Sequence, residues 1–498
     1  MKALIATWPR RIIVSLIIIF LSMGLMLAWL LYAGHGSLDS YGDEELMKKL
    51  IHLPTIVGAA FLTLSSIFML HSAQAAARVP QEAANTSNAQ SAGNAQPFKA
   101  QVVGLQWMNP LQRRDYPTQW QLLWTQGLVQ PNKNDDMVKA NPKKFKTLQP
   151  VAIVAFGNYG KETFKGFYYK YIRKMLGYFR NRYFMNSDYF YTVAPKNNKE
   201  WRELAGTHIE FAIPEKKLDL EESKDRLRQQ FLSTFDIGNP GFKTLWTKST
   251  PPDIHITQGG PNAGFTSLNA ALEYLQAHPQ ESVWAMNWDA PSFPPEDEQM
   301  NENMALLILA GPELQTGRRP LAWIGKAATA QTQDFEAQPG TTRAVQAWKA
   351  AIDGAAHNAG LSTADIGFTI HDAGKGSDAA SQRLAPLSRS LTEVLPEFDF
   401  SQHTFNTAGL LGDMGAGTAL TNVALAIGRA NHLGVNVLVA GTTHANQPTA
   451  VVVVPPAELT PINPNKDWFR ARGENNAYLP WWGLRHEKVG KFMQGYSE

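Results

Sequence analysis

One order of elements occurs twice along this chain: a helix, a buried strand, a turn and a second buried strand. In both copies the helix has apolar residues at helical spacing, and each strand is a short apolar run ended by turn residues. The first copy comprises residues 267–275, 283–288 and 305–310, and the second comprises residues 418–432, 435–440 and 450–454. Four consecutive valines at 451–454 are typical of a strand that is covered on both faces. This repetition predicts a duplicated α/β body.

The composition of the chain excludes several classes of function. Its 498 residues are enough for two or three domains, and a hydrophobic content of 44% supports a packed core. The formal net charge of +3 argues against a dedicated nucleic-acid binder. The chain has no cysteine, which excludes disulfides, cysteine-ligated zinc, iron–sulfur clusters and a thiol nucleophile. We therefore predict no cofactor, no metal and no nucleic-acid partner.

Two apolar segments near the N-terminus predict a membrane anchor. Residues 12–32 and 53–70 carry no charged side chain, and the first segment is long enough to cross a hydrocarbon core of about 30 Å. Lys2, Arg10 and Arg11 precede the first segment, which places the N-terminus in the cytoplasm under the positive-inside rule. Two crossings return the chain to the side on which it started. We therefore expect a multi-pass membrane protein with a cytoplasmic body.

The N-terminal region leaves one alternative open. The pair Arg10–Arg11 ahead of an apolar run is also typical of a twin-arginine export signal, and residues 73–75 resemble a signal-peptidase site. The two-helix interpretation assigns residues 1–79 to the anchor. Residues 80–97 are rich in Ala, Asn, Ser and Gln and lack apolar periodicity, which predicts a flexible linker.

Two glycine-rich loops lie in the second half of the body. The loop at residues 371–378 follows a strand predicted over 365–370, and the loop at residues 406–417 leads into the helix predicted over 418–432. Together with the duplicated halves, this order resembles the thiolase-like fold of the β-ketoacyl synthases, over residues 254–456. The resemblance implies a thiolase-like duplicated α/β body, which the predicted transmembrane helix pair precedes.

The positions that carry the chemistry of that family depart from its pattern. His371 stands at the first family histidine, but Asp413 replaces the second and Ala408 replaces the lysine. Residues 262–268 stand where the family has its nucleophilic cysteine, and condensation needs a thiolate together with donors to the developing negative charge. The resemblance therefore implies a vestigial pocket with His371 and Asp413 and no catalytic residue. We expect Ser267 to cap the N-terminus of its helix rather than to act as a nucleophile.

Further motifs resemble a second family, the type VI secretion lipase adapters. They are Trp-Met-Asn-Pro-Leu-Gln-Arg-Arg-Asp-Tyr-Pro at 107–117, Trp-Gln-Leu-Leu-Trp at 120–124, Pro-Asn-Ala-Gly at 261–264 and Met-Asn-Trp-Asp-Ala-Pro at 286–291. Members of this family hold a phospholipase effector and present it to the secretion spike. The resemblance implies a non-catalytic adapter or chaperone, with a phospholipase effector and the type VI spike protein as its partners.

Aromatic and arginine residues in two segments are the candidate contact residues, since these residue types are enriched at interface hot spots. The candidates are Trp107, Arg113, Arg114, Tyr116, Trp120, Trp124, Trp481 and Trp482. The alternative for each tryptophan is a place in the core of the body. A third segment, residues 164–184, alternates aromatic and basic residues. It is either a contact surface or an amphipathic helix whose rings are buried.

These observations divide the chain into five regions. They are a membrane anchor at 1–79, a flexible linker at 80–97, an N-terminal α/β half at 98–320, a C-terminal thiolase-like half at 321–460 and an aromatic-rich tail at 461–498. Two other functions stay open: a thiolase-superfamily enzyme that acts on acyl thioesters without a cysteine nucleophile, and a membrane assembly factor of unrelated function. Because condensing enzymes dimerise through the sheet edge, the resemblance also leaves a homodimer open.

Overall fold

The computed structural model describes most of the body of the chain. The described residues are 97–108, 118–148, 165–166, 168–170, 172–173, 176–177, 207–236, 251–290, 302–316, 319–395, 397–462, 469–472 and 478–482. They belong to one compact unit. The predicted anchor lies outside the described residues, as do nearly all of the predicted linker and the segment 109–117, so the membrane prediction stays a prediction. Across the described ranges, no helix combines the length and the apolar character that a membrane crossing requires.

Eight labelled helices and thirteen strands make up the described body. The helices are α1 (Thr118–Thr125), α2 (Asp136–Ala140), α3 (Leu220–Thr234), α4 (Ala263–Ala277), α5 (Arg343–Asn358), α6 (Asp378–Val394), α7 (Thr407–Leu411) and α8 (Thr418–Leu433). The strands are β1 (Ala100–Met108), β2 (His208–Pro214), β3 (Asp253–Gly259), β4 (Ser282–Asp289), β5 (Asn303–Ala310), β6 (Ala322–Ile324), β7 (Ala328–Thr329), β8 (Ile366–His371), β9 (Thr404–Asn406), β10 (Asn436–Gly441), β11 (Thr449–Val454), β12 (Phe469–Arg472) and β13 (Tyr478–Trp482). The described residues between 165 and 177 are also helical.

A single 11-stranded sheet forms the centre of the body. Its strands lie in the order β3-β2-β4-β5-β1-β6-β11-β10-β8-β9, with β7 paired to β11 beside this path. Strand β1 joins the two parts of the sheet because it pairs antiparallel with β5 along its length and with β6 at residues Ala100 to Val102. The tail strands β12 and β13 form a separate two-stranded sheet.

The two halves of the large sheet repeat one topology. In the first half, β3, β2 and β4 are parallel, β5 runs antiparallel to β4, and β1 runs antiparallel to β5. In the second half, β9, β8 and β10 are parallel, β11 runs antiparallel to β10, and β6 runs antiparallel to β11. When the strands of each half are numbered along the chain, with β7 left out because it lies beside the main path, both halves read third, second, fourth, fifth, first. This repeated order confirms the duplicated α/β body.

The four strands on which the prediction depends are present and interior. Strands β4 and β5 are antiparallel neighbours, and so are β10 and β11. Every residue of β5 is buried, as are Ala450 to Val453 in β11, because layers of helices cover the sheet on both faces. The predicted bounds differ from the observed bounds by at most two residues at each end.

Helices α4 and α8, which occupy corresponding places in the two halves, pack against each other in the core. In α8 every residue except Arg429 and Leu433 is buried, and small side chains predominate. Gly264 in α4 permits this close approach: a Cβ at that position would lie 3.0 Å from the Cβ of Ala419 and 3.3 Å from the backbone nitrogen of Leu420. A larger residue at 264 would push the two helices apart.

The structure corrects the expected start of the first duplicated helix. We expected Ser267 to be the N-cap, but α4 begins at Ala263 with Asn262 in the N-cap position, and Ser267 is buried inside the helix. The apolar stripe continues toward the N-terminus through Phe265, which is buried at helical spacing from Leu268 and Leu272. Burial of that stripe outweighs the capping preference of a serine.

Candidate functional site

The two glycine-rich loops of the second half meet where β8 and β9 end. The side-chain amide of Asn406 donates to the carbonyl of Gly374 at 2.6 Å, and the hydroxyl of Thr407 donates to the carbonyl of His371 at 3.0 Å. Parallel neighbouring strands end at the same edge of a sheet, so the loops that follow them are brought together. The expected convergence of these loops is therefore observed.

His371 lies at the end of β8 with its imidazole buried. Burial lowers the pKa of His371 to about 4, so the ring is neutral near pH 7. The backbone N–H of Ala373 donates to its Nδ1 at 3.3 Å, which places the proton of the neutral ring on Nε2. The ring centroid of Phe400 lies 5.8 Å away. A neutral imidazole in this state donates one hydrogen bond and has no free lone pair with which to accept a proton.

The neighbouring carboxylate, Asp372, fastens this loop to the turn between β10 and β11. It accepts hydrogen bonds from the backbone N–H and the hydroxyl of Thr442, both at 2.7 Å, and from the hydroxyl of Thr443 at 3.1 Å. Burial raises the pKa of Asp372, and the bonds from the two threonines oppose that rise. Both carboxylate oxygens of Asp372 accept hydrogen bonds from the protein itself, which is typical of a structural role.

The first half contributes its β3–α4 loop to the same region. The side-chain amide of Asn262 donates to the hydroxyl of Thr449 at 3.3 Å. A side chain at Gly441 would collide with the Oδ1 of Asn262, which shows how closely the loop approaches the end of β10. Among the described residues, this buried Oδ1 has no hydrogen-bond donor. The loop in which the sequence resemblance placed the position of a nucleophilic cysteine presents an amide.

Asp413, the second residue of the expected vestigial pocket, lies at the surface. Its side chain is exposed, and its Oδ1 accepts the backbone N–H of Gly415 at 2.8 Å. The two residues of the expected pocket thus differ in exposure: Asp413 is exposed, whereas His371 is buried. That both face one cavity stays a prediction.

The chemical capacity of these loops is small. The hydroxyl of Ser267 is completely buried within α4 and has no hydrogen-bond partner among the described residues, so no base is in place to activate it. The first turn of α4 consists of Ala263, Gly264 and Phe265, which carry no reactive group. Nothing in the described part of the chain pairs a nucleophile with a general base at this place.

A buried polar network joins the two halves beneath these loops. Asp289, at the end of β4, accepts the backbone N–H of Ala416 at 3.0 Å and that of Ala290 at 2.8 Å, and the Nζ of Lys217 lies 3.7 Å from its Oδ1. Burial raises the pKa of Asp289 to about 7, although Lys217 and the two backbone donors act in the opposite direction. Asp289 belongs to the 286–291 motif, so one motif residue holds the segment that leads into α8.

Asn303 is the second centre of this network. Its Oδ1 accepts the indole N–H of Trp107 at 3.1 Å, and its Nδ2 donates to the carbonyl of Gly417 at 3.1 Å and to the hydroxyl of Thr421. The network connects β1 and β5 of the first half with the start of α8 in the second. Each of these polar groups is buried, so the loss of one partner leaves another without a hydrogen bond.

Most of the candidate contact tryptophans lie in the core of the body. Trp107 is completely buried, and Trp120, Trp124 and Trp482 form a buried cluster in which Trp482 lies 5.7 Å from Trp120 and 5.0 Å from Trp124 between ring centroids. The indole of Trp124 also donates to the carbonyl of Phe145 at 3.0 Å. Packing against distant parts of the chain covers these four side chains, as the alternative of a place in the core described; that they contact a partner stays a prediction.

The remaining candidate contact residues have different positions. Trp481 is half-buried, and its backbone fixes the tail to the loop before α2: Asn132 donates to its carbonyl at 2.9 Å, and its N–H donates to Asp135 at 3.2 Å. Arg113, Arg114 and Tyr116 lie outside the described residues, between the end of β1 at Met108 and the start of α1 at Thr118.

The described part of the basic and aromatic segment is an amphipathic helix with buried rings on one side. Tyr168, Ile172 and Leu176 are buried, and the Tyr168 ring lies 5.1 Å from that of Trp288. On the other side Lys165 forms an ion pair with Glu222 of α3. The buried-ring interpretation therefore holds for Tyr168, whereas Tyr169 is half-buried, and the other aromatic residues of the segment lie outside the described residues.

One cluster of polar residues was not identified from the sequence. His208, Asp253 and His255 lie on the adjacent strands β2 and β3 and present side-chain ligand atoms within 4.8 Å of one another, which is a geometry that could hold a metal ion. The signal was present as His-Ile-Glu at 208–210 and Asp-Ile-His at 253–255, two alternating patterns that each place two polar side chains on one face of a strand.

One model of a known protein family matches the second half of the body. Residues 321–455 match the model of the family described as type VI lipase adapter protein Tla3, C-terminal. This match covers β6 to β11, and it lies outside the motifs at 107–124, 261–264 and 286–291 that carry the sequence resemblance. No curated protein sequence matches the chain.

Solved structures similar to this chain are ketosynthases and thiolases. An oxazolomycin ketosynthase domain of Streptomyces albus is 12% identical, with 74% of this chain and 98% of that chain covered and a TM-score of 0.43. The ishigamide ketosynthase/chain length factor is 17% identical, with 72% and 99% covered and a TM-score of 0.44. The dimeric peroxisomal thiolase of Saccharomyces cerevisiae is 9% identical, with 73% and 98% covered and a TM-score of 0.40. This likeness concerns the fold and indicates nothing about activity. The family match, by contrast, confirms the resemblance to the type VI lipase adapters over residues 321–455.

Proposed function

We propose that this chain is a non-catalytic adapter that binds a phospholipase effector and loads it onto the spike protein of a type VI secretion system. The observation that supports this function most strongly is the match of residues 321–455 to the Tla3 adapter family. The sequence motifs of the first half, which resemble the same family, support it from a separate part of the chain.

The arrangement of the second-half loops supports a role without catalysis. The chain contains no cysteine, and the β3–α4 loop presents the amide of Asn262 near Thr449. His371 is neutral and Asp372 is engaged with Thr442 and Thr443, so these side chains stabilise loops. An adapter needs such loops only as a scaffold.

The contact surface for the lipase is proposed at residues 109–117 and at Trp481 of the tail. Of the eight candidate residues, Arg113, Arg114 and Tyr116 fall in this segment, and Trp481 is the tail tryptophan that is not fully buried. Arginine and aromatic side chains are the residue types that most often provide a few strong contacts within an interface of ordinary size.

Capture of the phospholipase effector by the full-length chain tests this surface. A chain with Arg113→Glu and Arg114→Glu, and a second with Trp481→Ala, should each bind the lipase roughly 30-fold more weakly, since truncation of an interface anchor costs about 2 kcal/mol. Arg319→Glu is the matched control: Arg319 is 75% exposed and pairs with Glu458 at the surface, where an ion pair contributes little. Undiminished capture by both test variants would remove this surface from the proposal.

Export of the lipase tests the loading step. In a bacterium from which this chain has been deleted, we expect the phospholipase to remain in the cell while the spike protein is still exported. A plasmid that carries the intact chain should restore lipase export, and so should one that carries His371→Asn, because loading requires no chemistry at that loop. Normal lipase export in the deletion strain would contradict the proposed loading function.

We also propose that residues 1–79 anchor the body to the inner membrane and leave it in the cytoplasm. The support is the pair of apolar segments and the basic residues Lys2, Arg10 and Arg11 in front of them. A reporter enzyme that is active only in the cytoplasm should be active when it is fused after Pro97. Activity of a reporter that works only in the periplasm would overturn this topology.

A further inference from the structure

Two polar residues from each of two neighbouring strands lie side by side at one end of the large sheet. The parallel register of β2 and β3 pairs His208 with Asp253 and Glu210 with His255. Residues two apart in a strand face the same side of the sheet, so all four side chains share one face. The imidazole of His208 and the carboxylate of Glu210 are buried, whereas Asp253 is 59% exposed and His255 is 49% exposed. One side of the group is therefore open to solvent.

The carboxylate of Asp253 stands between the two imidazoles. Its Oδ2 lies 3.2 Å from the Nδ1 of His208 and 2.9 Å from the Nε2 of His255. The neighbouring ligand atoms of a tetrahedral ion with bonds of about 2.0 Å are roughly 3.3 Å apart. These two separations are close to the edges of such a coordination shell. The ligand atoms of His208, Asp253 and His255 thus need only small displacements to surround an ion.

The buried Glu210 fixes the state of the His208 ring. Its Oε1 lies 2.7 Å from the Nε2 of His208, a distance at which that nitrogen donates its proton to the carboxylate. In a neutral ring the lone pair then lies on Nδ1, which faces the Oδ2 of Asp253. Either a proton on Nδ1 or a metal ion must therefore lie between these two atoms. A carboxylate that orients a ligating histidine in this way is a regular feature of metal sites.

Packing holds the His208 ring in this orientation. The ring of Tyr274 stacks on one face with centroids 3.9 Å apart, and the ring of His255 lies on the other at 4.6 Å. Tyr274 is itself fixed, because its hydroxyl donates to Glu281 at 2.8 Å and His278 stacks on its far side at 4.2 Å. The buried part of the site is therefore rigid, and only Asp253 and His255 have freedom to adjust.

We propose that His208, Asp253 and His255 form a binding site for a divalent transition-metal ion of the Zn²⁺ class. Two imidazole nitrogens and one carboxylate oxygen are the ligand types that this class prefers, and water completes the coordination on the exposed side. Glu210 acts as a positioning residue through His208. The site joins the edge strand β3 to β2, so the bound ion stabilises the open edge of the sheet. It lies on the first half of the body and is independent of the proposed adapter function.

Calorimetric titration with ZnCl₂ tests this site on the full-length chain, purified with a tag that contains no histidine and stripped with EDTA. We expect one site whose affinity falls at least 10-fold in His255→Ala and in Asp253→Asn. Glu210→Gln should weaken binding 10- to 100-fold, the range found when the carboxylate behind a ligating histidine is removed. His357→Ala is the matched control, because it removes an exposed histidine of α5 that has no part in this site and should leave the affinity unchanged.

Two outcomes would overturn the proposal. The first is no Zn²⁺ binding by the intact chain, which would mean that a proton rather than a metal separates His208 from Asp253. The second is binding that His255→Ala and Asp253→Asn leave unchanged, which would place the ion elsewhere. Because His255 and Asp253 are exposed, both variants should keep the fold, which circular dichroism verifies even if the buried Glu210 variant unfolds. Visible absorption bands of bound Co²⁺ that disappear in His255→Ala would support the ligand assignment independently.

Discussion

The carboxylate of Asp289 accepts a hydrogen bond from the backbone N–H of Ala416 at 3.0 Å, and this bond joins the two halves of the body. Asp289 ends β4 of the first half, whereas Ala416 belongs to the turn Gly415–Gly417 that leads into α8 of the second. A carboxylate beside the start of a helix also faces the positive end of the helix dipole. The motif at 286–291 thus contributes a hydrogen bond that holds the two halves together.

Ionisation of Asp289 should make stability depend on pH. Its pKa in the folded protein, about 7, lies above the ordinary value of 3.8, so the folded state holds the proton more tightly than the unfolded state. The stability that this proton provides is complete below about pH 4 and is lost as the pH rises toward and through 7. The loss is on the order of 4 kcal/mol. Urea unfolding at a series of pH values measures it.

The variant Asp289→Asn isolates this effect from other titrating groups. Subtraction of its free energy of unfolding from that of the intact chain should give a difference that decreases between about pH 4 and pH 7. A difference that stays constant over this range, or that increases, would show that Asp289 does not carry the raised pKa.

His371 should titrate far below an ordinary histidine. Burial lowers its pKa to about 4 from 6.5, so the ring stays neutral as the pH falls through 6 and 5. The stability gained by burying the neutral ring is complete above pH 6.5 and is lost toward pH 4. NMR of histidine labelled with ¹³C measures the midpoint, and His371→Asn assigns the signal by its disappearance. A midpoint above 6 would show that the ring is open to solvent.

Trp482→Ala should destabilise the body. Trp482 is buried against Trp120 and Trp124, and removal of a buried tryptophan typically costs about 3–5 kcal/mol. Trp481→Ala, at a half-buried neighbouring position, should cost clearly less and serves as the control. The measurement is urea unfolding followed by circular dichroism. Equal and small effects of the two changes would mean that the tail does not contribute to the core.

Incubation with acyl thioesters should produce no covalent adduct. The chain has no cysteine, and Ser267 is buried without a base beside it among the described residues. Intact-protein mass spectrometry after exposure to acyl-coenzyme A checks this expectation. Treatment with hydroxylamine is the control, because it removes an ester on serine and leaves the amide that non-enzymatic acylation of lysine forms. A stoichiometric, hydroxylamine-sensitive adduct would support the enzyme alternative.

The strands could be predicted where a short stretch of sequence was enough to indicate them. The apolar runs at 283–288 and 450–454 are bounded by turn residues, and both are strands with nearly the predicted ends. The pairing of β1 with β5 and β6, which makes the two halves one sheet, depends on contacts between distant residues that no local pattern contains. Ser267 was misjudged because a local capping preference was weighed without the apolar stripe that continues through Phe265.

The candidate site was predictable only where the chain order determined it. The meeting of the loops after β8 and β9 followed from the order of the elements, and Asn406 and Thr407 make the contact. Residue type alone misled for Trp107, because tryptophan is common both at interfaces and in cores, and its position depends on Asn303 far along the chain. The cluster of His208 and Asp253 was missed because the sequence of neither strand determines the register in which β2 pairs with β3.

Equilibrium binding of the purified phospholipase effector to the full-length chain tests the adapter function most directly. Biolayer interferometry in detergent should show saturable binding of one lipase per chain with a Kd on the order of 1 µM or lower, as expected for an interface of ordinary size. His371→Asn should bind with the same affinity, since the proposed function uses no chemistry at that residue. Absence of saturable binding at concentrations far above this Kd would contradict the adapter function.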